Sequence, residues 1–213
     1  MFKLDLQNVG KRYRLEWIFQ NVSYSFESGT AYAVLGGNGT GKSTLLQIIC
    51  GSLMPTKGTV LYQSEGKTIE NTETYRYLSL AAPYLELIEE FSLVELIRFQ
   101  LQFKPFVSGF KETDLIELLQ LSHARHKRIS FFSSGMKQRV KLGLAVLADC
   151  PLLLLDEPTT NLDSRAVDWY LSIIEQFAKD KLVVIASNQP VEYSFCQQFL
   201  TISDFSPNKI PAE

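Results

Sequence analysis

The sequence predicts an α/β fold organised around a buried, largely parallel sheet. Short apolar runs alternate along the chain with amphipathic stretches, which is the pattern of strands and helices laid against one another. Leu152, Leu153, Leu154 and Leu155 form an unbroken apolar run ended by Asp156 and Glu157, as expected of a strand covered on both faces. A glycine-rich segment, residues 36–41, stands between an apolar run at 32–35 and a helical stretch opening at Ser43, so a strand feeds a helix through a tight loop. With 213 residues, 46% hydrophobic and 21% charged, the chain can bury one core of this class and has no room for a second copy.

In chain order, strands are expected at residues 3–9, 22–26 and 31–35, then a helix from Ser43, then strands at 59–62 and 77–81. From Pro83 the pattern turns helical. Ser92 followed by Glu95 is a capping-box signature opening a helix to Phe103, residues 105–109 break it, and a second helix covers 112–121. A third helix over 136–150 leads into the leucine strand, a helix follows at 164–178, and a last strand at 182–186. Residues 203–213, with two prolines and little apolar content, read as a tail.

The glycine segment carries the clearest chemistry. Gly36, Gly41, Lys42 and Ser43 fit the phosphate-loop spacing of Gly, four residues, Gly-Lys-Ser, with Gly37, Asn38, Gly39 and Thr40 between them and Thr44 behind. Glycines let consecutive backbone N–H groups turn inward on phosphate oxygens without side chains in the way. Lys42 is then expected to reach the β- and γ-phosphates as a point charge, and the Ser43 hydroxyl to take one position on Mg²⁺. Acidic residues at the carboxyl end of a parallel strand lie where such sheets bind ligands. Asp156 is therefore the candidate for the magnesium shell and Glu157 for polarising the attacking water.

Phe132, Ser133, Ser134, Gly135 and Met136, followed by Lys137, Gln138 and Arg139, precede the leucine strand. With the three segments in this order, the chain resembles the ATP-binding-cassette ATPases of ABC transporters across residues 4–201. The resemblance implies a P-loop NTPase core sheet, an antiparallel β subdomain and an inserted α-helical signature subdomain at about 84–148, within a single domain spanning 1–202. It implies ATP and Mg²⁺ as ligands and a signature motif that caps the γ-phosphate of an opposite protomer. Ser133 and Gly135 match that motif, although Ser133, Ser134 and Gly135 alone would equally read as a helix cap. Asp163, in Thr160-Asn161-Leu162-Asp163, matches the residue that joins the two sites of a dimer, and it also fits the N-cap of the helix behind it. Tyr13 stands where the family stacks a ring on adenine; Trp17 competes for the role, and either ring could pack on the first sheet instead.

Two departures from the family pattern matter. Asn188 stands where a histidine is expected and cannot carry a proton or a positive charge. Ala82 aligns with the usual strand-end glutamine. The resemblance with these departures implies a slow ATPase with binding retained. The partners implied are a second cassette protomer, identical or different, and a separate transmembrane subunit, placing the chain on the cytoplasmic face of a membrane. Tyr84, Leu85, Leu87, Ile88 and Phe91 form an apolar stretch that fits either docking of that subunit or packing of the helical subdomain. The alternative function is a hydrolysis-poor, ATP-dependent clamp.

Other classes are disfavoured. A net charge of −2 from 21 basic and 23 acidic residues gives no general nucleic-acid surface, and the basic cluster at 123–128 reads as a solvated turn. Cys50, Cys150 and Cys196 are odd in number, far apart and in apolar context, so they read as reduced core residues rather than a disulfide or metal set. Nothing reads as a signal peptide or a membrane span.

Overall fold

A computed structural model describes residues 1–107 and 109–207. Two sheets form its frame. A twisted antiparallel sheet, in the order β2-β1-β4-β5, comprises β1 (Phe2–Tyr13), β2 (Glu16–Glu27), β4 (Lys57–Ser64) and β5 (Lys67–Ile69). An all-parallel sheet, in the order β6-β7-β8-β3-β9, comprises β3 (Ala31–Leu35), β6 (Leu78–Ala81), β7 (Leu152–Asp156), β8 (Leu182–Ala186) and β9 (Gln198–Thr201). The helices are α1 (Lys42–Ile49), α2 (Leu93–Leu101), α3 (Glu112–Leu118), α4 (Ser134–Leu147) and α5 (Ser164–Phe177).

The period-two geometry of a strand explains why the leucine run is continuous. Successive side chains of β7 point to opposite faces of the parallel sheet, and both faces are covered. Leu153 and Leu155 enter one core with α2, α3, α4 and α5, while Leu152 and Leu154 enter another with α1 and the antiparallel sheet. In β8, Val183 and Ile185 divide from Leu182 and Val184 in the same way. Lys181, just ahead of β8, is buried, and its ammonium donates to the carbonyls of Val146 and Ala148 at the end of α4. This satisfies helix-end acceptors and fixes α4 to the sheet.

The capping box at α2 forms as expected: Ser92 N donates to Glu95 Oε2 at 2.8 Å, and Glu95 N donates back to Ser92 Oγ at 3.4 Å. Boundaries differ more than identities. The helix expected to reach Phe103 ends at Leu101, and that expected over 112–121 ends at Leu118, before Gln120 takes a left-handed φ of 59°. The helix expected over 136–150 starts two residues earlier and ends at Leu147. The expected tail begins with an ordered 3₁₀ turn, Ile202–Phe205, in which Ile202 is fully buried and Phe205 packs against the α1 core. Residues 208–213 of that expected tail lie outside the described residues.

Candidate functional site

The parallel order places β8 between β3 and β7, so the loops leaving the carboxyl ends of these three strands meet at one edge. The loop after β3 is the glycine segment. Gly36 and Gly41 cannot be other residues without rearrangement. A Cβ on Gly36 would lie 2.5 Å from Thr40 Oγ1, and one on Gly41, at φ 103°, would lie 2.5 Å from Ile18 Cγ2. Gly41 is also the N-cap of α1. The Lys42 ammonium is buried and folds back over the loop, donating to Gly36 O at 2.8 Å and Gly37 O at 3.0 Å. Thr40 Oγ1 donates to Gly37 O at 2.8 Å. A cavity of about 190 Å³ opens here, lined by Asn38, Gly39, Gly41, Lys42, Ser43, Thr44, Ile18 and Glu157. The geometry offers backbone donors, a helix N-terminus and one ammonium to an anion of phosphate size.

Asp156 ends β7 at 2% exposure, and its Oδ1 is buried with no hydrogen-bond partner among the described residues. Burial raises its carboxyl above the ordinary value, the neighbouring Ser43 hydroxyl lowers it, the Glu157 charge raises it and Lys42 lowers it. An unpartnered buried carboxylate oxygen beside a hydroxyl is a pair of hard oxygen donors, which suits Mg²⁺. No group of three or more His, Cys, Asp or Glu among the described residues forms a metal cage. A site of this kind leaves most positions on the ion to phosphate and water.

Glu157 has a φ of 40°, unusual for a side chain of this size, and its N–H donates to Ala186 O at 2.9 Å. The bond prolongs the β7–β8 pairing by one residue, and Glu157 lines the cavity. Asn188, just beyond β8, donates from Nδ2 to Asn38 Oδ1 at 2.9 Å, so it already spans from the third strand to the glycine loop. Ala82 is fully buried at the end of β6 and brings no polar group to this edge.

The remaining expected residues lie apart from the cavity. Ser133 caps α4, its Oγ accepting from Met136 N at 3.2 Å, and Gly135 comes so near the loop behind β7 that a Cβ there would sit 3.0 Å from Asn161 O. Asp163 caps α5, accepting from Ala166 N at 2.8 Å. Neither Ser133 nor Gly135 lines the phosphate-sized cavity of its own chain. Tyr13 is half-exposed at the end of β1 with the Lys11 ammonium 5.2 Å from its ring centre. Trp17 packs over Gly10 with Arg12 and Lys57 near its ring, which gives it a structural task.

In the apolar stretch, Tyr84, Leu85 and Ile88 are exposed while Leu87 and Phe91 pack against the helical core, so each of the two expected readings fits part of it. Among 123–128, Arg125 departs from a solvated turn by pairing with Glu112 at 2.9 Å. Of the cysteines, Cys150 is buried and the other two are half-buried, all three free.

Sequence reasoning missed what three residues do here. The Tyr84 hydroxyl approaches Gln47 of α1 and Asp156, and burial first, then the Asp156 charge, push it up to about 12. Gln138 is buried on α4 and donates from Nε2 to Pro158 O at 2.8 Å. Glu192 is fully buried behind the same loop. For Gln138 the signal was available as a polar residue on the inward face of a helix, whereas Tyr84 and Glu192 depend on tertiary placement.

A family model described as ABC transporter matches residues 19–160, more than half of the chain. The chain belongs to the ABC transporter family. Relatives of this ABC protein include the ABC transporter ATP-binding protein YybJ of Bacillus subtilis, 28% identical over 89% of this chain and 86% of that one. The cytochrome c biogenesis ATP-binding export protein CcmA of Rhizobium etli is 30% identical, covering 92% of each chain. An ATP-binding cassette solved as a dimer in a post-hydrolysis state with ADP and Pi aligns with a TM-score of 0.80 at 21% identity, over 94% of this chain and 95% of that one. The mixed α/β architecture is thus that of an ABC ATPase cassette, the ATP-binding part of such transporters. Among the described residues no helix is long and apolar enough to cross a membrane.

Proposed function

We propose that this chain binds Mg·ATP at the β3, β7 and β8 edge, hydrolyses it slowly, and energises a separate transmembrane subunit by closing on a second cassette protomer. The observation that carries the reading is the buried, unpartnered Asp156 Oδ1 beside Ser43 and below the Lys42 loop. Lys42 exchanges its two loop carbonyls for β- and γ-phosphate oxygens, and the loop N–H groups hold the rest of the polyphosphate. Ser43 and Asp156 would hold Mg²⁺, which when bound would neutralise phosphate charge. Glu157, fixed by its bond to Ala186, polarises the attacking water. Asn188 turns its amide from Asn38 to the γ-phosphate. Tyr13 supports the adenine ring, and Ser133 and Gly135 cap the γ-phosphate bound by the partner protomer, with Asp163 at the junction.

Slow turnover follows from what the edge lacks. Asn188 donates without charge, and Ala82 cannot orient a water, while the phosphate and metal groups stay complete. The exposed Tyr84, Leu85 and Ile88 are the surface offered to the membrane subunit, with the chain working on the cytoplasmic face. The test is steady-state hydrolysis with Mg²⁺ alongside ATP-dependent dimerisation. Glu157→Gln is expected to cut turnover by roughly 10²-fold or more while stabilising the ATP-bound dimer, and Asn188→His to speed it. The clamp reading is favoured by the same two departures. It prevails if wild type dimerises with ATP and shows no turnover that Glu157→Gln can lower.

A further inference from the structure

Glu192 is fully buried in the 3₁₀ turn Pro190–Tyr193, yet it is part of no element named above for phosphate or metal. One carboxylate oxygen accepts from Thr159 N at 2.9 Å and from the Thr159 hydroxyl; the other accepts from the Ser187 hydroxyl. Its own backbone carbonyl accepts from the Tyr170 hydroxyl of α5 at 2.8 Å. Three donors on one carboxylate are what a buried charge requires, so the side chain is fixed rather than merely tolerated.

The partners give the placement its meaning. Ser187 adjoins Asn188, whose amide reaches Asn38 of the glycine loop, and Ser187 Oγ also accepts from Gln189 N at 2.9 Å. Thr159 is two residues beyond Glu157, and the carbonyl of the intervening Pro158 is held by Gln138 of α4. A contiguous polar chain therefore runs from the glycine loop through Asn188, Glu192 and the Glu157 loop to the first turns of α4. Glu192 is the only member that touches both the β8 and β7 loops by side chain among the described residues.

We propose that Glu192 is a positioning residue: it ties the Asn188 loop to the Glu157 loop, so that phosphate contact at Asn188 sets both the aim of Glu157 and the seat of α4. The inference rests on the ATPase reading above but concerns a residue that touches neither nucleotide nor metal. A tie made only through fixed polar contacts acts on the chemical step more than on binding, because the phosphate cradle itself is untouched.

The experiment compares wild type, Glu192→Ala and Glu192→Gln in the full chain, with Mg·ATP affinity, kcat and hydrogen exchange of α4 measured on each. Glu192→Ala is expected to lower kcat at least tenfold with affinity within about threefold of wild type, and Glu192→Gln, which keeps an acceptor for Thr159, to recover most of it. Mg·ATP is expected to change exchange in the first turn of α4 in monomeric wild type and not in Glu192→Ala. Should Glu192→Ala fail to fold, Thr159→Val and Ser187→Ala replace it: a double variant no worse than the worse single one supports the tie, and additive losses overturn it. An active wild type with unchanged kcat and α4 exchange in Glu192→Ala overturns the tie and leaves the ATPase reading standing. A wild type that binds Mg·ATP without turnover is judged by exchange alone, and one that binds no Mg·ATP overturns both.

Discussion

Burial raises the Asp156 carboxyl above its ordinary pKa, and the Ser43 hydroxyl and Lys42 offset only part of the rise. Between the unfolded value, about 3.9, and the raised folded one, the native state binds more protons than the unfolded state, so stability falls as pH increases through that window. Above that window the buried carboxylate is thus a net cost to the nucleotide-free protein. Asp156→Asn is expected to raise its melting temperature by a few degrees at pH 7, the shift that about 1 kcal/mol produces in a chain of this size. The gain should shrink as pH falls towards 4 and reverse in saturating Mg·ATP, because the variant loses a metal ligand; thermal unfolding with and without nucleotide reads both. Asp156 and Lys42 were legible from their position in short motifs. The Tyr84 hydroxyl was not, since no local pattern brings a loop tyrosine to the end of a strand 72 positions later in the chain, a separation visible only once β6 pairs with β7.

At the scale of elements, the strongest constraint away from the site is at Gly58, in β4. It has φ 78°, and a Cβ there would lie 2.3 Å from Gln7 O and 2.4 Å from Asn8 O, where the β1–β4 register shifts. Backbone cannot yield as a side chain can. Gly58→Ala is expected to cost about 2–4 kcal/mol by chemical denaturation, with ATP affinity per folded molecule unchanged. The buried strands were plain in the sequence because both faces demand apolar residues, as Leu152–Asp156 and Leu182–Ala186 show. Lys67–Ile69 and Gln198–Thr201 were missed: both are edge strands of only three and four residues with a single buried residue each, so no alternation marks them. The antiparallel hairpin was read too short because Lys11, Arg12 and Tyr13 pair with β2 beyond the apolar part of the strand. Helix ends were overextended where an apolar residue continued the period after the backbone had already turned.

For the whole molecule, the layout separates two surfaces. Ser133 and Gly135 stand apart from the chain's own phosphate-sized cavity, as the proposed contact with a second protomer's nucleotide requires. Tyr84, Leu85 and Ile88 lie exposed on the stretch between β6 and α2, away from Ser133 in sequence and joined to the site through Tyr84. Replacing Leu85 and Ile88 together by Asp is expected to leave the fold and the ATPase rate of the isolated chain within about twofold, since neither side chain is core, and to lower its membrane-associated fraction at least tenfold. Sedimentation of chain with membranes, against the ATPase rate of the purified protein, separates the two effects. The alternation of strands and helices was readable along the chain, whereas the spatial order β6-β7-β8-β3-β9 was not; the proposed docking surface was only half readable, since exposure decides between Leu85 and Leu87 and sequence does not.

The manner in which Lys42 is kept has a further consequence, for ionic strength. As a residue Lys42 is only 5% exposed and its ammonium is already clasped by two loop carbonyls, so much of its water has been shed before any phosphate arrives. An exposed lysine would present a charge that dissolved salt shields within about 8–10 Å. Here protein covers the charge except towards the cavity, leaving counterions little access to it. The hold of this loop on a nucleotide should therefore weaken only shallowly from dilute buffer to physiological salt.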